Sequence, residues 1–142
     1  MYDYFNRVFY GGWTVVIKQI KLSSQAKERL SRLKGKTGIK NWNILCRWAF
    51  CYSLSENTML TDIPSSADSN LEMSWYTFGG EYSDLYEALI IAWCKNMGLQ
   101  TDDDTIAKYF KLHLERGIAY LSGTNFIKRL NDLLELGLED KK

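Results

Sequence analysis

The sequence is short of the residues on which most enzyme chemistry is built. Among 142 residues there is one histidine, His113, and one proline, Pro64. A lone imidazole with no serine, cysteine or carboxylate at a recognisable spacing nominates no catalytic dyad or triad. Cysteine is scarce and odd in number: Cys46, Cys51 and Cys94 all sit in apolar segments. That usage argues against a disulfide framework and for a reducing compartment, so a cytoplasmic protein is expected. No apolar run approaches the roughly 18 to 20 residues that span a bilayer, and the longest, Ala88 to Cys94, reads as a core helix. Internal repeats, low-complexity tracts and a dividing linker are also missing. Residues 1–142 are therefore expected to form one domain.

Metal ligation has no better support. Cys46 and Cys51 are five residues apart, about 140° around a helix, so they do not share a face as two ligands would. Cys94 and His113 are distant in sequence, and the thiols are read as buried and structural. Asp102, Asp103 and Asp104 could hold Mg²⁺ in a nuclease, but consecutive acids point in different directions, and complementing a helix N-terminus explains them more simply. Neither metal nor cofactor is expected.

What is present is an ordinary globular composition, 46% hydrophobic and 25% charged, with its charge unevenly placed. Residues 18–47 carry Lys18, Lys21, Lys27, Arg29, Arg32, Lys34, Lys36, Lys40 and Arg47 against the single acid Glu28, nine bases to one acid and a net of +8. From residue 61 onward fourteen acids face eight bases. A formal net charge of +1 thus leaves an anionic partner open, because association follows the local field.

Periodicity suggests a mainly α chain. Trp13 to Ser23 is β-branched and partly alternating, which predicts one short strand. Ser23 or Ser24 can cap a helix whose buried stripe is Ala26, Leu30 and Leu33, and Gly35 and Gly38 are expected to stop it. A second helix, about Lys40 to Leu54, is apolar on two sides. Trp42, Leu45, Cys46 and Ala49 face one way and Ile44, Trp48 and Cys51 the other, which suits a central helix or a subunit interface equally. Asn57 to Asn70 reads as an irregular connection, and Gly79-Gly80 as a tight turn followed by a helix of about Asp84 to Met97 that Ser83 or Asp84 caps. A long helix over about Asp103 to Leu121 and a last one over about Phe126 to Leu136, stopped by Gly137, complete the chain. Met1 to Trp13, rich in aromatics, resembles no targeting peptide; a strand, a docking arm and an extension all fit it. The fold class is a compact, mainly helical domain with one short N-terminal strand, its first half a strand-helix-turn-helix like that of ribbon-helix-helix modules.

The chemistry concentrates in RLKGKTGIKNW, Arg32 to Trp42. Lysines interleaved with glycines suit a phosphate. A nucleotide loop of the G-x-x-x-x-G-K-[ST] type would need its first glycine at position 30, which is Leu30, and a preceding strand rather than a helix. A nucleic-acid backbone fits better: glycines admit close approach, a helix N-terminus near Lys40 offers N–H groups, and lysines supply long-range attraction. A solvated basic loop is the alternative. Only Asn41 and Asn43 suit base reading, so affinity with little sequence choice is expected. Trp42, Trp48, Trp75 and Trp93 could stack on exposed bases, but their apolar neighbours favour the core.

Three segments, Leu22 to Leu54, Ser74 to Ile90 and His113 to Gly123, together resemble the DndE family of DNA sulfur-modification (phosphorothioation) proteins, over most of residues 18–125. Met1 to about Val15 falls outside the resemblance. The resemblance implies an accessory protein without catalytic residues, a homotetramer that binds double-stranded DNA, preferentially nicked, beside the other sulfur-modification proteins. Residues assigned to DNA on this basis and on charge are Lys21, Lys27, Arg32, Lys34, Gly35, Lys36, Gly38, Lys40 and Arg47. The doubly apolar second helix becomes a subunit interface. Two other roles stay open: a nickase using Asp102 to Asp104 or His113, and an adaptor that binds only protein.

Overall fold

A computed structural model of the chain describes residues 17–61, 67–123 and 126–138. The expected N-terminal arm, residues 1–15, and the tail beyond 138 lie outside the described residues.

The expected strand begins at Gln19 within the described part. β1, Gln19–Ser23, turns Ile20 and Leu22 inward and Lys21 outward. It pairs antiparallel with a second strand, β2, Asp68–Ser74, with Ile20 opposite Met73 and Lys21 opposite Glu72. From sequence alone, Asp68 to Asn70 belong to an irregular connection. Asp, Ser, Asn and Glu are poor strand formers, and β2 is extended because β1 is its template; the tertiary partner overrides local preference.

The Ser23 hydroxyl caps α1, Ser24–Thr37, by accepting from Ala26 N at 3.0 Å. Ala26, Leu30, Leu33 and Thr37 form its buried stripe. Gly38, in the left-handed conformation at φ 76°, ends the helix, and its N–H bonds back to Lys34 O at 2.9 Å. Gly35 does not stop it, contrary to expectation. One glycine inside a helix costs only about 1 kcal/mol, which burial of Leu33 and Thr37 on the same turns offsets.

α2, Trp42–Ser55, runs through the centre, burying Leu45, Cys46, Ala49, Phe50 and Ser53. It crosses α5, Asp103–Leu121, so closely that a Cβ at Gly117 would overlap the Ala49 carbonyl. The bounds of α5 are those the sequence predicts, and Asp102 caps it by accepting from Thr105 N at 3.2 Å. Between α2 and α5 the chain makes β2, a short helix α3, Trp75–Gly79, a 3₁₀ turn Gly80–Tyr82, and α4, Ser83–Asn96. The aromatic run before Gly79-Gly80 is therefore a helical turn capped by Ser74. α6, Leu130–Leu138, starts later than expected and continues through Gly137. Phe50, Trp75, Phe78 and Phe110 meet where these elements converge, with Phe50 and Phe110 centroids 4.9 Å apart and Trp75 stacked on Phe78 at 5.3 Å. This aromatic centre holds α2, α3 and α5 in fixed relation and so fixes where the N-terminus of α2 emerges.

Candidate nucleic-acid interface

With Ala26, Leu30, Leu33 and Thr37 turned inward, the roughly 100° step per residue distributes the bases of α1 over two flanks. Lys27 and Lys34 fall on one side of the buried stripe, and Arg29, Arg32 and Lys36 on the other. The left-handed Gly38 then reverses the chain. Ile39 anchors the reversal: it is half-buried, and its N–H donates to Thr37 Oγ1 at 3.2 Å. Lys40 follows, exposed, and α2 begins two residues later.

The N-terminus of α2 has no side-chain cap. Asn41 occupies the cap position in an extended conformation, but its side chain accepts nothing from the first turn. The leading N–H groups of α2 therefore lie uncapped beside Lys40, an arrangement that attracts anions. Lys34 reaches across the turn, and its Nζ lies 4.0 Å from the centroid of the Trp42 ring. Among the described residues, Lys34, Lys36 and Lys40 form no ion pair. Lys34, Gly35, Lys36, Gly38 and Lys40 thus share one turn.

The other residues assigned to DNA are spread further. Arg32 is exposed on the Lys36 flank of α1. Lys21 lies on β1, 4.0 Å from Glu72 Oε2, and Lys27 donates to Asn70 Oδ1 beside β2. Lys27 and Lys36 are nine residues apart, roughly 13 Å along the helix, so Lys21 and Lys27 stand at the far end of α1. Arg47 stands on α2, more than one helical turn beyond its start. It lines a shallow groove with Ile44, Trp48, Cys51 and Tyr86, and its Nε is buried without a partner. Burial pushes the Tyr86 hydroxyl above its usual range, while Arg47, hydrogen-bonded to it, pulls the other way. Asn43 is also occupied: its Nδ2 donates to Thr77 O at 3.1 Å and ties α2 to α3.

The remaining candidates take structural places. His113 is fully buried, with Nδ1 2.8 Å from Ser53 Oγ. Arg116 donates to the same hydroxyl at 2.8 Å, to Ser53 O at 2.8 Å and to Thr58 Oγ1 at 2.8 Å. Burial, helped by the Arg116 charge, lowers the His113 pKa to about 3, so the ring stays neutral. Burial likewise pushes Cys46 up to about 12 and Cys94 to about 11. Cys51 is exposed rather than buried, because it points out of the helix into the Arg47 groove. Hydrogen bonds from Thr105 lower the Asp102 pKa, as suits a cap. Among the described residues no three His, Cys, Asp or Glu side chains gather as a metal site would need.

A cleft of ≈ 760 Å³ lies at the N-terminal end of α1, lined in part by Arg29, Leu60, Leu112 and Glu115. Glu115 is held there by the Ser23 hydroxyl and N–H. Trp75 and Trp93 are buried as expected, whereas Trp42 and Trp48 are half-buried. The Lys34–Trp42 contact was missed in the sequence, where only the eight-residue spacing across a glycine turn hinted at it.

Residues 19–129 match the model of the family described as DndE, DNA sulphur modification protein. A solved relative is DndE from Escherichia coli B7A, described as involved in DNA phosphorothioation modification. It superposes with a TM-score of 0.62 at 28% identity, over 76% of this chain and 99% of that one. Comparison with curated proteins returns no match.

Proposed function

This chain belongs to the DndE family of DNA sulphur modification proteins, and on that premise we propose that it is a non-catalytic, cytoplasmic accessory component of DNA phosphorothioation. In this reading it binds double-stranded DNA, preferentially nicked, and presents it to the other sulfur-modification proteins. The observation that carries the reading is the α1–α2 turn, where Lys34 and Lys40 stand beside the uncapped N-terminus of α2, Lys36 lies on the other flank of the last turn of α1, and none of the three has an acid paired to it among the described residues. Phosphate contacts of this kind position a duplex without reading its sequence. Lys27 and Arg32 add positive charge on the two flanks of α1, and Lys21 on β1 beside its far end, where Glu72 lies 4.0 Å away.

Self-association strengthens such a surface by repeating it, and a homotetramer is proposed. The groove lined by Ile44, Trp48 and Cys51, and the exposed Tyr82, Leu85 and Leu89 on the 3₁₀ turn and α4, support contact between copies. Among the described residues no helix is long and apolar enough to cross a membrane.

The test is charge reversal. Lys34→Glu, Lys36→Glu and Lys40→Glu combined are expected to abolish duplex binding while circular dichroism and thermal stability stay close to those of the unaltered protein, because these side chains project from the turn. Retained affinity with an unchanged salt dependence would remove the turn from the interface. Conversion of supercoiled plasmid to open circles with Mg²⁺, lost on Asp102→Asn, would instead favour a nickase.

A further inference from the structure

We infer that Trp42 is the residue that distinguishes an interrupted duplex from a continuous one, by stacking on the base left uncovered at the break. The inference rests on the DNA-binding reading above and gives one residue the discrimination that lysines cannot supply. Phosphates are present in either duplex; an uncovered base face is not. In a continuous helix each base is covered by its neighbours, whereas a nick or gap opens the stack at little cost.

Trp42 is placed for that contact. It is the first residue of α2, directly after the uncapped Asn41 and two positions from Lys40, so its ring sits within the phosphate-binding turn. It packs against the core while remaining half-buried; the indole is anchored on a rigid element with part of its surface at the interface. Lys34 Nζ lies over the ring, 4.0 Å from its centroid. A cation over an indole at a surface is held weakly. A base arriving on that face displaces the ammonium, which then sits beside the neighbouring phosphate on the same turn. The lysine therefore covers the aromatic surface in the free protein and changes partner on binding. Trp75 and Trp93 are buried, and Trp48 lies in the Arg47 groove. None of these three is placed beside the lysine turn.

The experiment uses the full chain and duplexes carrying 2-aminopurine, either flanking a one-nucleotide gap or within a continuous duplex of the same sequence. The unaltered protein is expected to quench the probe at the gap and leave it unchanged in the continuous duplex. Trp42→Leu is expected to lose roughly 5- to 150-fold in affinity for the gapped duplex, the contribution of one stacked base. Any loss on the continuous duplex should be smaller by that factor, so that the preference for the gap disappears, and Trp42→Phe should keep most of the preference. Absence of quenching by the unaltered protein, a Trp42→Leu variant that keeps the preference, or equal loss on both duplexes would overturn the inference while leaving the DNA-binding reading intact. Failure of the unaltered protein to bind either duplex would overturn both.

Discussion

Gly117 of α5 lies directly against the backbone carbonyl of Ala49 in α2, at a crossing where no side chain larger than hydrogen fits. This contact brings α2 and α5 together around Phe50 and Phe110. Gly117→Ala forces the helices apart, and because the obstacle is backbone rather than a flexible side chain, the cost should reach the upper end of overpacking, about 3 kcal/mol. For a chain of this size that corresponds to a fall of roughly 10 °C in midpoint, checked by thermal denaturation. An unchanged midpoint would mean that the crossing is looser than described.

Gly35 and Gly38, three residues apart in the basic turn, should respond oppositely to alanine. Gly35 is inside α1 with open space where a Cβ would stand, so Gly35→Ala should stabilise by about 0.5–1 kcal/mol. Gly38 holds φ 76°, so Gly38→Ala should destabilise by about 1 kcal/mol despite equally open surroundings. Chemical denaturation of both variants tests the pair; equal signs would contradict the assigned end of α1.

His113 sets a pH dependence. Its pKa is about 3 in the folded chain against an ordinary value of 6.5, so above pH 6.5 the ring is neutral whether folded or not and stability is at its full value. Below pH 6.5 the unfolded chain takes up a proton that the folded chain refuses, and stability is lost as pH falls toward 3. Because the sequence contains one histidine, its imidazole resonance can be followed without ambiguity. It should not titrate between pH 8 and pH 5; a midpoint above 6 would contradict the buried Ser53–His113–Arg116 arrangement.

The helical part of this architecture was legible because it is written in periodicity. The Ala26, Leu30 and Leu33 stripe marks α1, and the acids at 102–104 mark the start of α5. β2 was not legible: Asp68, Ser69, Asn70 and Glu72 argue against a strand until β1 is placed beside them. Nor could sequence separate Gly35 from Gly38, since the choice between an interior glycine and a terminating one depends on which residue the core draws into the last turn. For the site, the lysine-glycine composition marked the segment that folds into the α1–α2 turn. Its division was hidden, because helix phase and packing, not linear order, direct Arg47 toward Tyr86 and Lys21 and Lys27 toward β2. The position of Trp42 depends on how the turn folds back.

The proposed role of the α1–α2 turn is to hold a DNA backbone. The most direct measurement is titration of fluorescent intact and nicked duplexes with the purified protein at 50, 100 and 200 mM salt. If an oligomer neutralises six to ten phosphates, affinity should fall roughly 10³- to 10⁵-fold across that range, with the nicked duplex bound more tightly at every concentration. Failure to bind either duplex at 50 mM salt, or binding that ignores salt, would contradict the account and leave the basic turn as a surface for partner proteins.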